Sequence, residues 1–97
     1  MKPENVKPNN FNVVKLIYET TYFSIAYGNW VEEDSMRLAM RWNGENDADA
    51  GYPKVFGHPM WFIIPEELIT TFANSLLDIE GAKRKEIIEV LKEVYGL

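Results

Sequence analysis

Two runs of alternating residues, separated by a short polar turn, constrain the fold of this chain more than any other feature. The first run spans residues 21–31, the turn is EEDS at residues 32–35, and the second run spans residues 36–42. Successive side chains of a strand point to opposite faces, so this pattern predicts an antiparallel β-hairpin. One face then carries Phe23, Ile25, Tyr27, Leu38, Met40 and Trp42, and the other carries Tyr22, Ser24, Ala26, Trp30, Arg37, Ala39 and Arg41.

Further strands are predicted on both sides of this hairpin. Residues 11–18 (FNVVKLIY) are rich in β-branched and aromatic side chains, which is typical of a strand. Residues 60–64 (MWFII) form a short, fully apolar run, which favours a central strand buried on both faces. Between them, residues 43–59 predict a long loop, with a short strand near residues 54–56.

Two helices are predicted after the strands. Pro65 fits the first position of a helix, and apolar residues recur at helical spacing from Leu68 to Leu77. Asp78 is placed to cap a second helix over residues 79–95, and Gly96 is placed to end it.

This order of elements predicts an α+β fold: an antiparallel sheet of three to five strands, followed by two C-terminal helices packed on one face. The chain has 97 residues, enough for one domain. We assign residues 11–97 to that domain and residues 1–10, which contain two prolines, to a flexible N-terminal arm.

Composition limits the classes of function that remain. Hydrophobic residues make up 46% of the chain, which excludes wholesale disorder. The net charge of −5 disfavours indiscriminate binding to nucleic acid or to anionic membranes. The chain has no cysteine, no signal peptide pattern and no apolar run long enough to cross a bilayer, so a cytoplasmic location is expected.

The loop after the hairpin contains the only histidine and a run of alternate acids. Glu45, Asp47 and Asp49 suggest a calcium loop, but the EF-hand positions of glycine and of the bidentate glutamate are not met. His58 alone cannot build a zinc site, although it can be imagined as a general base beside Asp47 or Asp49. No nucleophile elbow, phosphate loop or other cofactor motif is present, so we expect a protein that is not an enzyme and binds neither a cofactor nor a metal.

The arginine-bearing face of the hairpin is the strongest candidate binding site. Arginine interleaved with aromatic rings on a sheet is suited to pair phosphates and stack bases of single-stranded nucleic acid. Alternatively, the two arginines pair with acids across the strand, and the aromatic rings are buried in a dimer. The predicted nucleic-acid contacts are Tyr22, Trp30, Arg37, Arg41 and Lys54.

Residues 21–77 resemble, in the order of their elements, the small single-stranded-DNA-binding transcriptional coactivator p15-like family and its bacterial relatives. The junction IIPEEL, residues 63–68, is similar to the strand–Pro-Glu–helix junction of that family. The resemblance implies a curved sheet that binds single strands and a dimer packed through helices. Here the acidic run of residues 45–51 replaces the basic residues of the family, and the second helix is an addition.

The sequence therefore predicts a small non-catalytic binding protein. One version binds single-stranded nucleic acid through the sheet face. The alternative is a protein-interaction or accessory module, in which the acidic loop and exposed tryptophans contact another protein. In either version, the broad apolar surface of the first predicted helix favours a homodimer.

Overall fold

The computed structural model describes all 97 residues, and its strands precede its two α-helices along the chain. The elements are β1 (Phe11–Glu19), β2 (Phe23–Trp30), β3 (Ser35–Trp42), β4 (Lys54–Val55), β5 (His58–Pro59), β6 (Phe62–Ile63), α1 (Ile69–Leu76) and α2 (Arg84–Tyr95). Four strands form one antiparallel sheet in the order β1-β2-β3-β6, and β4 and β5 form a separate two-stranded hairpin. The predicted α+β fold is confirmed.

The hairpin of β2 and β3 has the predicted alternation. Phe23 lies opposite Trp42 at one end, and Trp30 lies opposite Ser35 at the turn. Both helices pack against the face that carries the aliphatic side chains. The buried residues of this layer are Ile17, Ile25, Tyr27, Leu38, Ile64, Ile69, Ala73, Leu76, Ile87 and Val90. Each large aliphatic side chain buried in this way contributes about 1.5–3 kcal/mol, so this layer is a main source of stability.

The opposite face of the sheet is covered by the N-terminal segment. A 3-10 turn at Pro3–Asn5 brings Val6 onto the sheet, where the side chain is only 1% exposed. The indole Nε1 of Trp61 donates a hydrogen bond to the Val6 carbonyl at 3.2 Å. Residues 1–10, interpreted from the sequence as a flexible arm, therefore contribute to a second apolar layer. Its buried residues are Val6, Phe11, Ala26, Ala39 and Trp61.

The strand predicted over residues 60–64 differs from expectation in its position. Strand β6 pairs only with β3, so it lies at the edge of the sheet and not at its centre. Trp61 and Ile64 are buried, but Phe62 is 61% exposed. Trp61 belongs to the second apolar layer and Ile64 to the helix-facing layer, so burial on both faces is confirmed at these two residues. It is wrong at Phe62, which the helices leave exposed.

The first helix follows the sequence prediction closely. Pro65 precedes a 3-10 turn at Glu66–Leu68, which continues into α1. Gly96 ends α2 in the left-handed conformation, with a φ of +73°, as predicted. Neither helix is long and apolar enough to span a bilayer.

The second helix starts later than predicted, at Arg84 instead of Ile79. Gly81 adopts a φ of +94°, and its carbonyl accepts a hydrogen bond from the Glu19 amide of β1 at 2.9 Å. Asp78 accepts a hydrogen bond from Arg84 at 2.9 Å and does not cap the helix. The segment between the helices thus runs along the edge of β1 before α2 begins, because its backbone groups find partners there.

Candidate interaction surface

Two of the predicted contact residues, Trp30 and Arg37, lie together at the turn end of the hairpin. The guanidinium carbon of Arg37 is 4.9 Å from the centroid of the Trp30 ring, a cation–π distance. Nη2 of Arg37 is 2.8 Å from the Glu33 carboxylate and 3.9 Å from that of Glu66, and the Arg37 side chain is only 11% exposed. This arginine therefore already has acidic partners within the chain.

Arg41 does not lie on an open face, although the sequence predicts it there. Its side chain is 1% exposed, and its guanidinium donates to the carbonyl of Met60 at 2.5 Å and to that of Ala50. Burial lowers the pKa of Arg41, while nearby Asp49 acts in the opposite direction. The guanidinium is still charged at neutral pH, because arginine in proteins is not deprotonated. It links Ala50, in the loop after β3, to Met60, in the segment between β5 and β6, and is not accessible to a phosphate.

Tyr22 and Lys54 are exposed, but they are separated from Trp30 and Arg37. Tyr22 is 67% exposed in the turn before β2, and Lys54 begins β4. The structure therefore does not bring the five predicted residues into one site. Trp30 and Arg37 lie at one end of the sheet, and Tyr22 lies at the other.

The acidic loop is organised by its own backbone. Asp49 accepts hydrogen bonds from the amides of Gly51 at 2.9 Å and of Glu45 at 3.0 Å. These bonds, with a smaller contribution from Lys54, lower the pKa of Asp49. No group of three or more histidine, aspartate or glutamate side chains is arranged to hold a metal ion. The carboxylate of Asp49 thus serves to close a turn.

A different surface stands out in the structure: the end of the sheet at which β3 finishes. Six aromatic side chains of the chain are highly exposed, and five of them belong to this end or to the β4–β5 hairpin that follows it along the chain. We call these five residues the aromatic end. They are Tyr22 (67% exposed), Trp42 (56%), Tyr52 (64%), Phe56 (95%) and Phe62 (61%).

The strand register brings three of these rings, Trp42, Tyr52 and Phe62, to one face. Trp42 pairs with Phe23 across β2 and β3, and the two rings meet edge to face with centroids 4.7 Å apart. Tyr52 forms an isolated bridge with Trp42, with backbone hydrogen bonds of 2.7 and 3.1 Å. Phe62 lies opposite Met40 on the same face. This arrangement encloses an open cavity of about 230 Å³, called here the socket, which is lined by Phe23, Met40, Arg41, Trp42, Tyr52, Pro53 and Phe62.

A larger cavity, of about 820 Å³, lies along β1 beside the N-terminal segment. Its lining mixes lysines and glutamates, and two of the lysines have acidic partners: Lys15 lies 2.7 Å from Glu89 and Lys83 lies 3.6 Å from Glu19. This cavity has no dominant charge and no cluster of exposed rings. The smaller socket is therefore the better candidate for a binding surface, because aromatic side chains dominate binding energy at interfaces.

Sequence reasoning missed the aromatic end for one reason. Alternation placed Trp42 on the helix-facing side of the hairpin, and that side was expected to be buried. The face is correct, but the helices leave Trp42 uncovered. The available signal was the density of rings in the loop and in the strand after it, at Tyr52, Phe56 and Phe62.

Comparison with known protein families, curated proteins and solved structures found no match for this chain.

Proposed function

We propose that the protein is a non-catalytic interaction module that binds another polypeptide chain through the aromatic end. The observation that supports this most strongly is the concentration of five of the six highly exposed aromatic rings at one end of the sheet. Large apolar patches on a small protein mark interaction sites, because water contact with several rings is unfavourable. Tryptophan and tyrosine are also the residues most enriched among the anchors of protein interfaces.

Charge favours a polypeptide over nucleic acid as the ligand. Both arginines of the hairpin have partners within the chain. Lys54, at the start of β4, is then the exposed cation available near the aromatic end. The chain as a whole carries a net charge of −5. Binding to a phosphate backbone depends on neutralising several phosphates at once, which this surface is poorly equipped to do.

Single-stranded nucleic acid is the second candidate ligand. The observation in its favour is that Tyr22, Trp42 and Tyr52 are exposed rings on which bases can stack, with Lys54 nearby in sequence. In this version Arg37 and Arg41 hold the surface in place, and the rings make the contacts.

One experiment separates the two ligands. Peptides are selected from a displayed random library against the immobilised protein, and the selected peptides and a single-stranded oligonucleotide are labelled for fluorescence anisotropy. We expect micromolar peptide binding that Trp42→Ser weakens by about 30-fold, the effect of losing an interface anchor. Val14→Thr is the matched control, because Val14 is 59% exposed on β1, outside the aromatic end. Peptide affinity is expected to hold or rise with added sulfate, which strengthens apolar contacts.

The outcomes are distinct. Oligonucleotide binding that falls steeply with salt and requires Trp42 would replace the first candidate with the second. Peptide binding that is equally sensitive to Val14→Thr and Trp42→Ser would contradict the assignment of the surface. If neither ligand binds and the protein does not self-associate in a Trp42-dependent manner, the proposed function is wrong.

A further inference from the structure

The hairpin of β4 and β5 presents a phenylalanine in an unfavourable backbone conformation. Val55 pairs with His58, so Phe56 and Gly57 form a two-residue turn, with φ values of +49° and +78°. Turns with both central residues at positive φ favour asparagine, aspartate or glycine, because a bulky side chain is strained there. Gly57 satisfies this preference and Phe56 does not.

The Phe56 side chain makes almost no packing contact within its own chain that would offset this strain. Its side chain is 95% exposed, the highest value among the large hydrophobic residues of the chain, and the neighbouring Val55 is 50% exposed. A strained residue is expected to persist where it serves a function, and an exposed apolar ring serves a function when it is buried by a partner.

The chain also carries a cavity that fits this ring. A dry cavity of about 150 Å³ is sufficient to bind benzene in another protein, and the socket measures about 230 Å³ with aromatic walls. Tyr52 and Pro53 line the socket and also form the base of the hairpin. The tip is three residues beyond Pro53, roughly 10 Å of extended chain, so Phe56 stands away from the socket of its own copy.

We propose that the partner at the aromatic end is a second copy of this chain, related by a two-fold axis, with Phe56 of each copy inserted into the socket of the other. This inference rests on the proposed function and names its partner. Tyr52 and Pro53 line the socket and lead directly into the hairpin that carries Phe56, called here the knob, so one copy offers both halves of a reciprocal two-fold contact. A full aromatic side chain has an area of about 150–250 Å², so the exposed parts of the five rings amount to roughly 700 Å² per copy. This area is close to the ~800 Å² that each partner buries in a stable interface.

The test is sedimentation velocity over concentrations from about 1 to 100 µM, the range in which micromolar association is resolved. We expect the wild-type protein to dimerise and Phe56→Asn to weaken dimerisation by at least about 30-fold. Because asparagine suits the turn, Phe56→Asn should melt at the same or a higher temperature than wild type at a concentration at which both are monomeric, so the loss cannot arise from misfolding. Phe62→Ser should damage the socket and also yield monomers, with its fold checked by circular dichroism, whereas Val14→Thr should dimerise normally.

Mixing the two monomeric variants tests the reciprocal contact directly. Phe56→Asn keeps its socket and Phe62→Ser keeps its knob, so the mixture forms one intact knob-and-socket contact that neither variant forms alone. Native mass spectrometry should therefore detect a mixed dimer at concentrations at which each variant alone is monomeric.

Three results would overturn this inference. A wild-type protein that is monomeric throughout, a Phe56→Asn variant that dimerises like wild type, or the absence of mixed dimers would each exclude the two-fold contact. A monomer that sediments with phosphatidylcholine vesicles only when Phe56 is present would assign the knob to membranes instead. Selected peptides that still bind in a Trp42-dependent manner would then preserve the proposed function, and loss of both dimer and peptide binding would remove it.

Discussion

Replacement of Arg41 by alanine should destabilise the fold, because this side chain anchors the segments on both sides of the β4–β5 hairpin. The guanidinium is buried and donates to the carbonyls of Ala50 and Met60, which lie before and after the β4–β5 hairpin. In the alanine variant both carbonyls lose their donor, and the space of the side chain is left unfilled. The role assigned here to Arg41 is therefore structural, and unfolding measures it.

The magnitude follows from the two hydrogen bonds. Leaving a buried acceptor without a partner costs about 1–3 kcal/mol; both carbonyls are only part-buried, so the two together account for about 2 kcal/mol. The emptied volume adds to this cost, while removal of a buried charge without a bonded carboxylate returns part of it. We expect a net loss of about 3 kcal/mol from a total that is about 5–15 kcal/mol for a domain of this size.

Urea denaturation followed by far-UV circular dichroism measures this loss. With an m-value of about 1–2 kcal/mol/M, the midpoint should fall by roughly 2 M. Arg41→Met is expected to fall less than Arg41→Ala, because it keeps the volume. Arg37→Ala is the matched control: its partner Glu33 is half exposed, so the loss should be about 1 kcal/mol. An Arg41→Ala variant with the same urea midpoint as the wild type would refute the structural role and would make Arg41 a candidate ligand contact again.

Two further predictions follow from backbone packing and burial. A Cβ at Gly28 would lie 2.2 Å from the Asn12 carbonyl oxygen of β1, so Gly28→Ala should lower the free energy of unfolding by about 3 kcal/mol. A Cβ at Gly57 would have no atom within 4 Å, so Gly57→Ala should lower it by only about 1–2 kcal/mol, because of the positive φ. Equal effects of the two substitutions would contradict the close strand approach. Burial, together with a hydrogen bond to Glu93, raises the pKa of Tyr27, so its phenol favours the neutral form in the folded state. The stability that it contributes is fully present below the unfolded pKa of about 10 and is lost as the pH rises above it. Tyr27→Phe should therefore reduce the fall in melting temperature at alkaline pH. An unchanged dependence of melting temperature on pH would exclude Tyr27 as its origin.

Alternation along the hairpin was enough to predict which side chains meet the helices. Ile25, Tyr27 and Leu38 are in the helix-facing core as expected, because a strand places every second side chain on the same face. The sheet-then-helix order was equally informative, and it predicted α1 within a few residues.

The sequence could not predict what covers the second face. Val6 and the loop that holds Arg41 belong to segments without periodicity, so no pattern indicated that they would fold over the sheet. For the same reason Arg41 was expected in the open. Alternation also assigns a side chain to a face without saying how far along the strand the cover extends, which is why Trp42 was expected to be buried. The similarity to single-stranded-DNA-binding proteins stays a prediction.

The two ends of the sheet differ in exposed aromatic surface, and this difference affects how many copies can associate. Several exposed rings lie at the end of the sheet that contains Trp42. At the opposite end, the guanidinium of Arg37 packs over the ring of Trp30. In the dimer proposed above, each copy occupies the aromatic end of the other. Association through that end would therefore close at a pair, as a two-fold contact does.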